Sequence, residues 1–388
     1  MIPIDKLPDE ILLGIFAIFL RGHQSTKREI EAWQTLAYVC RRWRVIVLGS
    51  PQRLNLRLCC TPGTPREMLD FWPALPLLIH GYVFGESKLD SIIAACARSN
   101  HVCEIDFSVS NNNPHLGSLL AAMQEPFPLL TNLTLVFEPD NEMALALPDS
   151  LLGGSAQRLR SILLISFPYP GLPMLLSSAT HLVSLHLENI RYLSPDTMAT
   201  CLAVLTSLES LHLAFPSLLS LPHQNGQHPP PQRRSVLPAL TSFLFEGLSE
   251  YLEDLAARID APQLDSMRMN LLHGFCFDTP QLAQFITRIP RLSTHKEACV
   301  YLDGSSQLRF SSPTPHVGEL VIGVSHRQVD WELSSLAWIC STSFLPLVSA
   351  VESLYIVEFQ TWQSIRQDDI DIEDFEWREL LRPFTAVK

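Results

Sequence analysis

The sequence has few charged residues and no excess of basic ones. Charged side chains make up 18% of the 388 residues, whereas apolar side chains make up 47%. A disordered chain is therefore excluded, and a large core or several packed units is expected. The formal net charge is -12 at pH 7. This charge argues against nucleic acid as the main partner, because phosphate binding needs clusters of Lys and Arg.

Long apolar runs and regular cysteine spacings are also missing. The apolar run at residues 11–20 is about ten residues long, too short to cross a bilayer, and it follows acidic residues, unlike a secretory signal. The nine cysteines contain no Cys-x-x-Cys pair. The odd count predicts nine free thiols in a cytoplasmic or nuclear protein. Cys59 and Cys60 are adjacent but have no second pair, so no metal site is expected there.

The sequence contains none of the common catalytic motifs. A Gly-rich phosphate loop, a Gly-x-Ser-x-Gly turn and a His-Glu-x-x-His helix are all absent, and the 13 histidines are dispersed. We therefore expect a binding protein without a cofactor rather than an enzyme, and neither nucleic acid nor a membrane as its partner.

The first 58 residues form a basic segment, with nine basic and five acidic side chains, in front of an acidic body. This asymmetry predicts that the segment meets an acidic partner. A helix is expected to begin at Pro8, since proline suits the first helical position and Asp9 and Glu10 suit the positive end of the helix dipole. Its apolar residues run nearly all round the helix. We therefore expect it to be buried on one side by its own domain and on the other by a partner.

A second helix is expected from Thr26, because Thr26 and Glu29 have the spacing of a capping box. Apolar residues then recur at the helical period, at Ile30, Trp33, Leu36, Ala37, Cys40 and Trp43. Arg41, Arg42 and Arg44 lie on the opposite face. Taken alone, this pattern is typical of a small helical hairpin with a solvated basic face.

Beyond residue 60 a short phrase recurs, with apolar residues at its first, fourth and sixth positions. Copies begin at Val102, Leu130, Leu159, Leu182, Leu208, Leu240, Leu264 and Val351. From Leu130 to Leu264 the starts are roughly 23 to 32 residues apart. Each phrase predicts a short strand with one buried face, covered by an intervening helix such as those expected at residues 89–98 and 251–259. Stacked units predict an α/β fold, a solenoid with a parallel sheet inside and helices outside.

Two phrases in the head resemble the two ends of the F-box motif. They are Leu7-Pro8-Asp9-Glu10-Ile11-Leu12 with Ile15-Phe16, and Val39-Cys40-Arg41-Arg42-Trp43-Arg44. The resemblance implies a three-helix domain at residues 1–60 that docks on the Skp-type adaptor of an SCF (Skp–cullin–F-box) complex. It implies contact and core roles for Leu7, Pro8, Ile11, Leu12, Ile15, Val39, Cys40 and Trp43. The stretch between Phe16 and Val39 is longer than in a compact F-box, so a loop is expected near residues 21–29.

The body, residues 61–388, resembles the degenerate leucine-rich repeats of fungal F-box proteins. Three further phrases support this resemblance, at residues 50–56, 72–77 and 377–384. It implies a substrate-recognition subunit of an SCF-type E3 ubiquitin ligase, which reaches a cullin-RING ligase through the adaptor and holds an unknown protein substrate on its repeats. The alternative is a leucine-rich-repeat scaffold that takes no part in ubiquitination and whose head serves only its own stability.

The open, concave face of the predicted sheet is the expected substrate site, because repeat proteins usually bind there. Strand alternation places the following side chains on it: Glu104, Asp106, Thr134, His186, Glu188, His212, Glu246, Arg268, Asn270 and Tyr355.

Two flexible loops are expected, near residues 215–238 and 364–376. The first is rich in Pro, His and Gln, and a proline-motif ligand is a second interpretation of it. The second overlaps six carboxylates at residues 368–376, more typical of a solvated loop than of a cation site. No further strand phrase follows Val351. We therefore expect residues 360–388 to be loosely packed, with Trp377, Leu380 and Leu381 partly exposed.

Overall fold

A computed structural model describes residues 4–21, 31–72, 74–83, 89–110, 114–138, 147–166, 169–190, 193–215, 234–272, 279–302, 306–311, 318–325, 332–358 and 377–388. The chain is an α/β protein whose strands are mostly parallel, which confirms the coarse fold class expected from the repeated phrase. It divides into two compact units, Met1–Leu159 and Arg160–Lys388. Among the described residues, no helix is long and apolar enough to span a bilayer.

The first unit begins with three helices and continues with alternating strands and helices. Its helices are α1 Asp9–Arg21, α2 Ala32–Val39, α3 Arg41–Leu48, α4 Arg66–Phe71, α5 Asp90–Cys96 and α6 Leu116–Ala122. Its strands are β1 Leu58–Cys60, β2 Leu77–Val83, β3 Val102–Ser110 and β4 Asn132–Glu138. These four strands pair in sequence order and are all parallel. A parallel neighbour requires a crossover, and α4 to α6 lie in the segments between the strands.

The helix expected to run through Cys40 to Trp43 is broken, and that prediction is wrong. Cys40 has an extended backbone (φ -158°, ψ 168°), so α2 ends at Val39 and α3 begins at Arg41. The Cys40 Sγ accepts a hydrogen bond from the Trp43 backbone N–H at 3.5 Å. A side-chain acceptor at this position caps a new helix. The start expected at Thr26 and most of the loop expected near residues 21–29 lie outside the described residues.

The second unit has the same alternation of strands and helices. Its main strands are β5 Ser161–Ile165, β6 Ser184–Glu188, β7 Ser210–Ala214, β9 Ser242–Leu248, β11 Ser266–Leu272, β12 Glu297–Leu302, β13 Ser306–Ser311, β14 Glu319–Ser325 and β15 Ser353–Glu358. Its helices are α7 Leu172–Ser178, α8 Pro195–Leu202, α9 Ser249–Arg258, α10 Pro280–Thr287, α11 Glu332–Ser341 and α12 Leu345–Val348.

A separate two-stranded parallel pair joins β8 Ser235–Val236 to β10 Ile259–Asp260. The prediction of a loop near residues 215–238 is therefore wrong at Ser235 and Val236, which form a strand. Residues 216–233 lie outside the described part. Residues 364–376, the second expected loop, also lie outside it.

Each of the eight repeated phrases coincides with a strand, and in all but the last its fourth and sixth residues are buried; in the phrase at Val351, Leu354 is partly exposed and Ile356 is exposed. Leu185 and Leu187 of β6, for example, are fully buried, and their neighbours His186 and Glu188 lie on the open face. Apolar burial of this kind favours folding by about 25 cal/mol per Å². The strand ends are linked as well: Asn189, in the left-handed region (φ 48°), donates from Nδ2 to Ser166 Oγ at 3.1 Å.

The last part of the second sheet departs from the expected parallel order. The strands run β5-β6-β7-β9-β11-β14-β13-β12-β15, and β13 is antiparallel to both of its neighbours. Only three residues separate β12 from β13. That connection is too short for a crossover, so the two strands form a hairpin. An all-parallel sheet is therefore wrong over residues 297–325.

The C-terminal residues are better packed than predicted. Residues 377–381 are helical, and Leu380 is fully buried, so the prediction that it is partly exposed is wrong. Trp377 and Leu381 are partly exposed, as predicted. The backbone N–H of Lys388 bonds to the Glu352 carbonyl at 3.3 Å. This bond ties the segment to the residues just before β15. Residues 359–376 lie outside the described part.

Candidate functional site

Helix α1 separates its apolar residues into a buried side and an exposed stripe. Leu12, Leu13, Phe16 and Leu20 are buried. Ile11, Ile15 and Ile18 are 51%, 42% and 72% exposed. Their spacing of four and three residues places them along one side of the helix. We call these three residues the isoleucine stripe.

The buried side of α1 is held against α3 by one ion pair and one ring contact. Arg42 donates from Nη2 to Asp9 Oδ1 at 2.5 Å and to the Leu7 carbonyl at 2.6 Å. The Phe16 and Trp43 rings lie 4.7 Å apart between centroids. Because α1 is fixed on this side, the isoleucine stripe faces away from its own domain.

The residues predicted for the adaptor contact are therefore divided between surface and core. Ile11, Ile15 and Val39 are exposed, as are Pro8 and Cys40, and Leu7 is partly exposed. Leu12 is fully buried, and Trp43 packs on Phe16. Leu12 therefore belongs to the interior of the head, and Trp43 is partly exposed at its edge.

Sequence reasoning missed further exposed apolar side chains of the head, among them Ile4, Ile18, Tyr38 and Val45. The i, i+4, i+7 spacing from Ile11 could have identified Ile18. The position of Tyr38 and Val45 depends on the break at Cys40, which helical periodicity did not reveal.

The head also packs tightly on the first strand of its unit. Trp33 donates from Nε1 to the Arg57 carbonyl at 2.8 Å, and its ring lies 4.9 Å from that of Trp72. The Cys59 backbone N–H donates to Glu31 Oε1 at 3.1 Å. The head thereby occupies the Cys59 N–H of β1 and the carbonyl of Arg57 just before it.

The open face of the first unit carries a histidine between two carboxylates. His80 on β2 lies 3.4 Å from Asp106 Oδ2 and 3.5 Å from Glu104 Oε1, both on β3. The hydrogen bond to Asp106 raises the pKa of His80, burial opposes this shift, and the charges of Glu104 and Asp106 add to it. Thr134 lies beside Asp106 on β4. Sequence reasoning found Glu104, Asp106 and Thr134 but missed His80, because β2 does not carry the repeated phrase.

In the second unit, β6, β7 and β9 form an acidic end of the open face. The rings of His186 and His212 lie 3.8 Å apart, and His186 Nε2 lies 3.2 Å from Glu188 Oε2. Burial, together with the neighbouring His186, lowers the pKa of His212 to about 4. Burial also raises the pKa of Glu246, and the charge of Glu188 adds to that rise. The carboxylates of Glu188 and Glu246 thus share a partly buried surface with the neutral imidazole of His212.

Strands β11, β14 and β13 form a basic end of the same face. Glu319 bridges two arginines: Arg268 Nη2 lies 2.8 Å from its Oε2, and Arg309 Nη2 lies 2.6 Å from its Oε1. A cavity of about 340 Å³ opens beside this triad. Its floor includes Gly323, which pairs with both Asn270 and Gln307 in the sheet. A Cβ at Gly323 would lie 3.4 Å from Asn270 Oδ1.

Most residues predicted for the open face of the second unit are brought together here. His186, Glu188 and His212 lie at the acidic end, Glu246, Arg268 and Asn270 line the cavity, and Tyr355 is exposed on β15. Arg309, Glu319 and Gly323 were missed, since β13 and β14 lack the repeated phrase.

In the described part of the chain, no three His, Cys, Asp or Glu residues form a group that could hold a metal ion. The eight cysteines in that part are free, and Cys276 lies outside it. Burial raises the pKa of Cys96 and of Cys340 to about 12, which makes both thiols poor nucleophiles.

No family model matches the chain, and no curated protein matches it. The residues and their geometry therefore carry the functional argument.

Proposed function

We propose that this protein is the substrate-recognition subunit of an SCF-type ubiquitin ligase, with residues 1–60 as its F-box and the repeats as a solenoid that holds a protein substrate. The observation that carries the proposal is the isoleucine stripe on α1. A second candidate, a repeat scaffold outside ubiquitination, is favoured by the packing of Trp33 on Trp72, since a head that stabilises the first strand already has one role.

The isoleucine stripe suits a docking surface because it exposes apolar area that its own domain does not cover. Complete burial of one isoleucine side chain contributes roughly 1.5–3 kcal/mol. Part of that gain is lost to the cost of association. Three such residues along one side of a helix that Arg42 and Phe16 hold in place still supply enough apolar area for the central hot spot of an interface.

The exposed charges of the head indicate the character of the proposed partner. Arg41 and Arg44 are exposed on α3, and Arg44 also binds the Ala37 carbonyl through Nε at 3.0 Å. An acidic adaptor surface complements them, and charges at the edge of an interface accelerate association. The Skp-type adaptor of the proposal meets these residues and the stripe together.

In this proposal the protein catalyses no step itself. The head fixes it to the ligase, and the repeats hold the substrate, so that the substrate reaches a ubiquitin-charged enzyme at high effective concentration.

The test is capture of a Skp-type adaptor by the full-length chain. Changing Ile11→Gln, Ile15→Gln and Ile18→Gln together removes the apolar stripe and keeps a good helix former at each position. We expect the triple variant to lose adaptor binding by about two orders of magnitude in Kd.

A matched control is Met174→Gln, Val204→Gln and Val236→Gln, three exposed apolar residues of the second unit. The control should bind the adaptor as the wild type does. Failure of the wild-type chain to capture the adaptor, or equal capture by a folded stripe variant, would reject the proposal in favour of the scaffold.

A further inference from the structure

The open face of the second unit carries opposite charges at its two ends. Across the strands its side chains follow two registers. One is His186, His212, Leu244, Arg268, Val321 and Arg309, and the other is Glu188, Ala214, Glu246, Asn270, Gly323 and Gln307. The acidic side chains belong to β6 and β9, and the arginines to β11 and β13.

The three strands of the acidic end, β6, β7 and β9, carry no lysine or arginine. Glu188 contacts His186, and Glu246 forms no ion pair with any residue that the structure describes. The imidazoles of His186 and His212, in contact at 3.8 Å and tilted by 36°, lie on the strands beside them and offer a partly apolar surface. Two carboxylates next to aromatic rings suit a lysine or arginine side chain, whose aliphatic part packs on the rings.

The basic end holds more positive charge than its carboxylate balances. Glu319 lies between Arg268 and Arg309 and is largely covered, whereas both guanidinium groups are about half exposed. The triad itself therefore retains one net positive charge, and the cavity beside it is also lined by Glu246. Each guanidinium has five N–H donors, and Glu319 uses at most two from Arg268 and one from Arg309. The remaining donors suit a carboxylate.

The distance between the two ends matches a short extended peptide. The middle of the acidic pair and the middle of the arginine pair are three strands apart in the sheet order. At about 4.8 Å per strand this separation is roughly 14 Å across the strands. The two pairs also lie two residues, or roughly 7 Å, apart along the strands, which makes about 16 Å in all. Side chains four positions apart in an extended peptide lie on the same face at roughly 13 Å, and the long, flexible lysine side chain spans the difference.

We infer that this face binds an extended peptide segment with a basic and an acidic residue four positions apart, the basic one over Glu188 and Glu246 and the acidic one over Arg268 and Arg309. The inference rests on the proposed function, in which the repeats hold a protein substrate, and it names the kind of segment that they hold. The peptide crosses the strands, and its acidic side chain enters the cavity above Gly323.

The probe is a fluorescent seven-residue peptide with lysine second, aspartate sixth, and threonine and valine between them to favour the extended form. Its binding to the full-length protein is measured by anisotropy at low salt. We expect saturable binding that weakens about tenfold or more for Arg268→Glu with Arg309→Glu, and likewise for Glu188→Lys with Glu246→Lys.

Two control peptides and one control variant isolate the geometry. Moving the aspartate to the fifth position turns it to the opposite face of the peptide and should abolish binding. Replacing the lysine by aspartate should do the same. Arg291→Glu makes the same charge reversal at a residue that pairs with Asp265 and belongs to neither register. It should leave binding unchanged.

The variant Arg268→Glu with Arg309→Glu leaves Glu319 without its arginine partners. Arg268→Gln with Arg309→Gln therefore serves as a milder second variant, and an unfolding curve of each variant checks that it is folded. Equal binding of the two spacings, or no loss in either folded arginine variant, would overturn the inference. A protein that captures the adaptor but not the parent peptide would refute the peptide site and leave the proposed function standing.

Discussion

The head and the open face of the second unit expose opposite kinds of surface. On the head, Ile11, Ile15 and Ile18 offer apolar area on a helix that is fixed from behind by Arg42. On the second sheet, Glu246 and Arg268 offer charge. Apolar burial supplies affinity with little geometric selectivity, whereas paired charges supply selectivity with little affinity. On the proposed function, the first surface suits an adaptor that is always bound, and the second suits a choice among substrates.

The largest expected effect separates the two roles of the head. Trp33 is buried against Trp72 and bonded to the Arg57 carbonyl. Trp33→Ala should lower the free energy of unfolding by about 3–5 kcal/mol, as measured by urea denaturation followed by circular dichroism. The isoleucine-stripe variant should lose less than about 1 kcal/mol, because exposed apolar residues contribute little to the fold. Equal destabilisation by both would mean that the stripe is part of the core.

A smaller effect is expected from salt. Raising the concentration from 50 to 500 mM shortens the screening length from about 14 Å to about 4 Å. Peptide binding to the second sheet should weaken several-fold, whereas adaptor binding, which depends mainly on the apolar stripe, should weaken less. If salt weakened adaptor binding more than peptide binding, the assignment of the two surfaces would be reversed.

The smallest effect concerns pH and contrasts the open faces of the two units. The pKa of His212 falls from 6.5 in the unfolded chain to about 4 in the folded chain. Between pH 6.5 and pH 4 the unfolded chain therefore binds a proton at His212 that the folded chain does not bind. Stability is therefore lost as the pH falls through this window. His212→Gln should lose less stability than the wild type between pH 7 and pH 5 in urea denaturation.

His80 should behave in the opposite way, because Asp106 and Glu104 raise its folded-state pKa. Its stabilising contribution is complete below pH 6.5 and is lost as the pH rises through the raised pKa. His80→Gln should therefore cost more stability at pH 6 than at pH 8. The same cost at both values would show that the two carboxylates do not hold a charged imidazole.

The sequence predicted the strands well because the physics of each strand is local. Leu185 and Leu187 must be buried, their neighbours must not, and this alternation is visible in six residues. It predicted the hairpin of β12 and β13 poorly, since the pairing partners of Arg309 lie on two other strands. The cavity was missed for the same reason, because Gly323 becomes its floor only when β13 and β14 are side by side. The break at Cys40 was missed because apolar periodicity continues across it.

The contact between Glu31 and Cys59 also bears on aggregation. β1 is the outermost strand on its side of the first unit's sheet, and an unprotected edge strand is a template to which other chains add. Glu31 occupies the Cys59 N–H, and Trp33 occupies the Arg57 carbonyl, so a foreign strand finds neither group available. The head thus protects this edge against polymerisation, and a chain expressed without the head would expose it.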